Sequence, residues 1–100
     1  MSDKLSSKDI FKILQKNKTL LKKCHVRKIG LFGSYARDEA SKKSDIDLLV
    51  DFEEKTFDNF IELAFALEKI FDRKVDLLTE KGMSPYILPY IRNEIQWYEA

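Results

Sequence analysis

At 100 residues and 11.8 kDa the chain has room for one domain, spanning residues 1–100, with one core, and 44% hydrophobic against 35% charged residues fits a soluble fold and argues against disorder. No apolar run approaches the ~18 residues of a membrane span, no leader pattern is expected, and the one cysteine, Cys24, excludes an internal disulfide and suits a reducing cytoplasm. The net charge of +1 is unevenly spread: residues 1–28 carry nine Lys/Arg and two acids, residues 29–100 nine and fifteen, a basic start on an acidic body that suits a polar ligand or a charged partner.

Ser6 or Ser7 can cap a first helix, with Asp9 in its favourable first turn. Ile10, Phe11, Ile13, Leu14, Leu20 and Leu21 continue a roughly helical stripe to about residue 22. Residues 26–32 read as a strand stopped by Gly33, and residues 45–52 (DIDLLVDF) as a second strand with a short apolar run. Thr56 can cap the main core helix, where Phe57, Phe60, Ile61, Ala64, Phe65, Leu67, Ile70 and Phe71 recur at helical spacing. Residues 74–79 (KVDLLT) read as a third strand. Pro89 would break a helix begun at Ser84-Pro85, so a turn and then a helix from about Pro89 is expected.

Connection lengths set the topology. The segment between Gly33 and Asp45 is too short for a parallel return with a full helix, so the first two strands should be antiparallel neighbours. Residues 53–73 hold a full helix, long enough for a crossover and a parallel second pair. The expected fold is two-layer α/β (α+β), a small mixed three-stranded sheet packed with helices.

That topology brings Gly33 and Ser34 beside Asp45, Asp47 and Asp76 at one sheet edge. Asp45 and Asp47, two residues apart on a strand, share a face about 6.6 Å apart, while Ile46 points into apolar packing. Crowded carboxylates repel unless a cation neutralises them, and an all-oxygen donor set favours Mg²⁺. Two such ions, bridged by the paired aspartates, would suit in-line attack on a phosphorus. Asp76 would complete one metal site and take the proton from the attacking hydroxyl. Gly33 lacks a Cβ, so backbone can approach a ligand closely, and free N–H groups of a following helical turn would favour phosphate. Ser34 can add a hydroxyl donor. Arg37 could contact phosphate, or pair with Asp45 or Asp47 and hold them.

Each element has a plainer explanation. A D-x-D pair is usually surface charge, a Gly-Ser turn alone means little, and Asp76 could face solvent. Asp51 shares the alternation of Asp45 and Asp47 but lies far down the strand and reads as solvated. What favours catalysis is the convergence of independent features at one edge. A phosphate-accepting receiver domain also uses acids and Mg²⁺, but its five-stranded doubly wound sheet needs more chain.

Gly33-Ser34, ten intervening residues and Asp45-Ile46-Asp47 resemble the nucleotidyltransferase signature of the DNA polymerase beta superfamily. The string GSYARDEASKKSDIDLLVDF is similar to its stand-alone minimal nucleotidyltransferase branch, and KVDLLT to that branch's third acidic strand. The resemblance covers Val26 to Tyr98. It implies transfer of a nucleoside monophosphate, AMP from ATP, to a hydroxyl with Mg²⁺. Gly33 and Ser34 would bind triphosphate, Asp45 and Asp47 metal, and Asp76 would complete the triad. It further implies a HEPN-domain toxin as partner, adenylylated on a tyrosine, with this chain as antitoxin in a hetero-oligomer. The rival is a non-catalytic module that neutralises its partner by occlusion. One position departs: Asp38 stands where relatives often carry glycine, adding negative charge near the phosphate turn.

Lys8, Lys12 and Lys16 line one helix face, read as solvated rather than as a nucleic-acid or acidic-partner contact. His25, beside Cys24, is expected to be structural or at the surface. Tyr86, Tyr90, Trp97 and Tyr98 concentrate aromatic surface near the end, read as packing over the sheet with a partner interface as second reading.

Overall fold

The computed structural model describes residues 5–41 and 43–99, so Asp3 and Lys4 of the basic start lie outside the described residues. The first helix, α1 (Ser7–Lys16), begins with a reciprocal capping box between Ser6 and Asp9. The expected continuous helix is instead split at Asn17, whose side-chain amide donates to the Ile13 carbonyl at 2.8 Å and closes α1 before α2 (Lys18–Lys23) begins. An Asn side chain that bonds back to the main chain competes with helix continuation. Lys8, Lys12 and Lys16 are all exposed, and buried Ile10 and Leu14 face inward.

Strand β1 (Val26–Phe32) ends at a one-turn helix, α3 (Gly33–Ala36), then a loop leads to β2 (Ile46–Phe52). Helix α4 (Phe57–Phe71) starts at a Thr56 cap that accepts from the Asn59 N–H and stops where Asp72 turns left-handed. It returns the chain to β3 (Val75–Leu78). The short α5 (Leu88–Arg92) starts one residue before Pro89, and β4 (Gln96–Glu99) follows.

The sheet order is β3-β2-β1-β4, with β1 antiparallel to both neighbours and β2 parallel to β3. The mixed α/β class and the pairing of the first three strands match expectation. The fourth strand corrects the count: Trp97 and Tyr98 lie within the sheet, on the free edge of β1, rather than over it. Tyr86 and Tyr90, at 83% and 82% exposed, do not pack on it either.

Alternation along the strands divides the apolar side chains between two faces. One face carries Ile29, Leu31, Ile46, Leu48, Val50, Phe52, Val75 and Leu77, covered by α1, α2 and α4 through Ile10, Leu14, Leu21, Leu63, Leu67 and Phe71. The other face has a smaller cluster, Phe32, Leu49 and Met83, with Leu88, Ile91, Ile95 and Trp97 against it. Gly30 makes that second face possible, since a Cβ there would sit 3.0 Å from the Trp97 ring. No helix among the described residues is long and apolar enough to cross a membrane.

Candidate functional site

The second face leaves uncovered the edge where β1 ends and β2 and β3 begin. Asp47 is in register with Phe32 on one side and Asp76 on the other. Residues in register on parallel neighbours project to the same face about 4.8 Å apart, so Asp47 and Asp76 stand side by side. Asp45 immediately precedes the strand and follows the same alternation, half-buried, with Lys74 Nζ 3.9 Å from its carboxylate.

Gly33 sits at the strand-to-helix corner with φ +76°, a conformation that favours glycine. A Cβ at this position would overlap Oδ2 of Asp47 and lie 3.1 Å from its Cγ. The corner and the carboxylate are therefore in direct contact, and glycine is required twice over, by dihedral and by space. Ser34 follows in α3, half-buried, its carbonyl accepting from the Glu39 N–H at 2.9 Å. Tyr35 is buried beneath the corner. Its hydroxyl donates to the Ser44 carbonyl at 3.4 Å and accepts from Arg73 at 2.8 Å, tying α3 to the loop that delivers Asp45.

The site is electrostatically stressed. Burial, then the Asp76 charge, then the Asp45 charge push the Asp47 carboxyl up from 3.8 to about 6, with Glu94 adding to the push and Arg37 opposing it. Among the described residues no three or more His, Cys, Asp and Glu side chains are already gathered as a metal-binding group. The donor chemistry still fits a hard divalent cation: the facing groups are carboxylates, and their mutual repulsion on Asp47 is what such a charge would relieve.

Arg37 pairs with neither Asp45 nor Asp47. Its guanidinium donates to Glu94 at 3.0 Å and to Glu39 at 3.4 Å, because the turn after α3 carries it toward the segment between α5 and β4. Glu94 is the residue that sequence reading missed: its other carboxylate oxygen accepts from the Gly33 N–H at 3.1 Å. The charge expected from Asp38 near the turn is directed elsewhere. Asp38 adopts φ +54°, the left-handed conformation that glycine would take, and its carboxylate accepts from the Ser7 N–H at 3.0 Å at the start of α1. Asp51 is distant and bonds Arg27 at 3.3 Å; exposed His25 lies at that far end, its carbonyl accepting from the Glu53 N–H at 2.8 Å.

A family model described as "Nucleotidyltransferase domain" matches residues 10–98. The Methanocaldococcus jannaschii protein named "Putative protein adenylyltransferase MJ1379" is 45% identical over 92 residues, spanning 87% of this chain and 92% of the relative. A solved chain described as "Structure of putative minimal nucleotidyltransferase" superposes with a TM-score of 0.79 at 29% identity, covering 95% of this chain and 98% of that one. Another, described as "Crystal structure of the toxin-antitoxin with AMP-PNP", gives a TM-score of 0.69 at 26% identity, covering 86% and 73%.

Proposed function

The chain belongs to the nucleotidyltransferase family, in its minimal branch, and is an enzyme of that class; from this premise we propose that it moves AMP from ATP to a tyrosine hydroxyl of a HEPN-domain toxin and so acts as the antitoxin of a pair. The observation that carries this reading is Asp47, whose carboxylate lies against the Gly33 corner while standing in register with Asp76. An occluding module needs no such juxtaposition. The name of the Methanocaldococcus jannaschii relative supports a protein acceptor, and the toxin-antitoxin structure with AMP-PNP supports both an adenine nucleotide and a partner.

In this reading the Gly33 N–H, Ser34 and Arg37 receive the triphosphate tail. Asp45, Asp47 and Asp76 would hold Mg²⁺, which when bound offsets the charge of the phosphates and of the carboxylates themselves. The acceptor oxygen bonds to the α-phosphorus, the bond to the bridging oxygen breaks, and pyrophosphate leaves. Asp76, exposed to solvent, is the carboxylate that takes the hydroxyl proton in this reading. Residues 1–100 act as one catalytic domain, and the partner brings the acceptor. The reaction belongs in the cytoplasm, where buried Cys24 stays reduced.

The test is to incubate the chain with its neighbouring gene product, ATP and Mg²⁺ and to weigh the partner. A mass gain of one or more adenylyl groups, located on tyrosine, is expected, with none from Asp47→Asn. An unmodified partner that is nevertheless neutralised, equally well by Asp47→Asn, would establish occlusion instead.

A further inference from the structure

Glu94 reaches the Gly33 corner from 61 positions away in the chain. One carboxylate oxygen accepts from the Gly33 N–H at 3.1 Å, and the other accepts from Arg37 Nη1 at 3.0 Å. A carboxylate and a terminal phosphate offer similar oxygen acceptors to an N–H and a guanidinium, so Glu94 occupies a seat shaped for an anion. It does so beside three other carboxylates, where a fourth negative charge is unfavourable unless Arg37 compensates it. Its main chain is anchored, with the Glu94 and Ile95 N–H groups both donating to the Ile91 carbonyl at 3.0 Å. Its side chain is 26% exposed and has several rotatable bonds, which leaves a path outward.

We propose that Glu94 is a built-in anion that holds the Gly33 and Arg37 donors until the triphosphate of the incoming nucleotide displaces it, so that Glu94 sets the affinity of the site for nucleotide. This rests on the corner being the triphosphate seat. The contact keeps the Gly33 turn and Arg37 arranged for an oxyanion before one arrives. Binding then exchanges one set of charge-assisted hydrogen bonds for another, and the affinity is the difference between the two. Glu94 is thus a positioning residue that competes with the ligand.

The experiment is calorimetric titration of the full chain with ATP and, separately, with inorganic tripolyphosphate, both with Mg²⁺ at low salt. Glu94→Gln keeps an acceptor for the Gly33 N–H but gives up the charge paired with Arg37. It is expected to bind both probes about three- to tenfold more tightly than the parent chain, and the gain should shrink in an Arg37→Gln background. Glu94→Asp, too short to bridge both donors, should shift affinity the same way by less, and it serves if the glutamine variant fails to fold. A strut that merely shapes the corner would give the reverse, a lower Tm and weaker binding. Unchanged or weaker binding by these variants, with the parent chain binding normally, overturns the role of Glu94 and leaves the corner as the triphosphate seat. No binding of either probe by any of these chains overturns both.

Discussion

Along β2 the side chains alternate between a face closed by α1, α2 and α4 and a face that α5 and its flanks close only in part. On the first face Ile46, Leu48 and Val50 belong to the main apolar cluster and are almost completely buried. On the second, Leu49 is buried under Met83, but Asp47, two residues earlier, stands half-buried among other acids. The same strand thus spends one side on burial and the start of its other side on charge. Burial on the first face is what holds carboxylates together on the second, since repulsion alone would part them.

Substitutions on the two faces should therefore separate stability from activity. The largest effect belongs to Asp47→Asn, which keeps the shape and removes the charge. Adenylyl transfer should fall by about a hundredfold or more in an initial-rate assay. Its stability should move the other way. The folded carboxyl titrates near 6 against 3.8 for the ordinary group, so protonation favours the fold. That contribution is complete below 3.8 and is lost as pH rises through about 6. Without metal, the Asn variant should melt a few degrees higher than the parent at pH 8, and the difference should vanish as pH falls through that window. A lower melting point at pH 8 would mean that Asp47 supports the fold.

Leu48→Ala, its neighbour on the closed face, should cost about 2–5 kcal/mol in denaturant unfolding, since it opens a cavity at a fully buried position. Transfer per folded molecule should change little by comparison. Asp38→Ala should cost about 1–2 kcal/mol, because the left-handed φ remains while the bond to the α1 N-terminus is lost. The smallest effect is expected from Lys12→Ala on the exposed face of α1, which should leave both Tm and transfer rate within error. A clear loss of partner neutralisation there would turn that face into a contact surface.

The closed face was legible in the sequence because apolar periodicity is a local signal. β1 was expected at the bounds it occupies, β2 begins one residue later than expected, and β3 is one residue shorter at each end. The placement of Gly33 against Asp47, and of Asp47 in register with Asp76, followed from connection lengths. What escaped has physical reasons. β4 has four residues with only Trp97 and Tyr98 apolar, one to each face, too short for alternation to register. Glu94 is one acid among many until the fold brings it to Gly33, and Arg37 follows Glu94 for the same reason. The break at Asn17 depended on one side-chain bond within an otherwise continuous helical pattern. The Asp38 departure was visible as a charge, but its backbone meaning appeared only with the left-handed φ.

The most direct measurement of the central claim uses ATP labelled in turn on the α- and the γ-phosphate, with the chain, its partner and Mg²⁺. Label should pass to the partner from the α position alone, and Asp47→Asn should abolish it. Transfer from the γ position, or α-labelling that survives Asp47→Asn, would contradict the assignment of these carboxylates to adenylyl transfer.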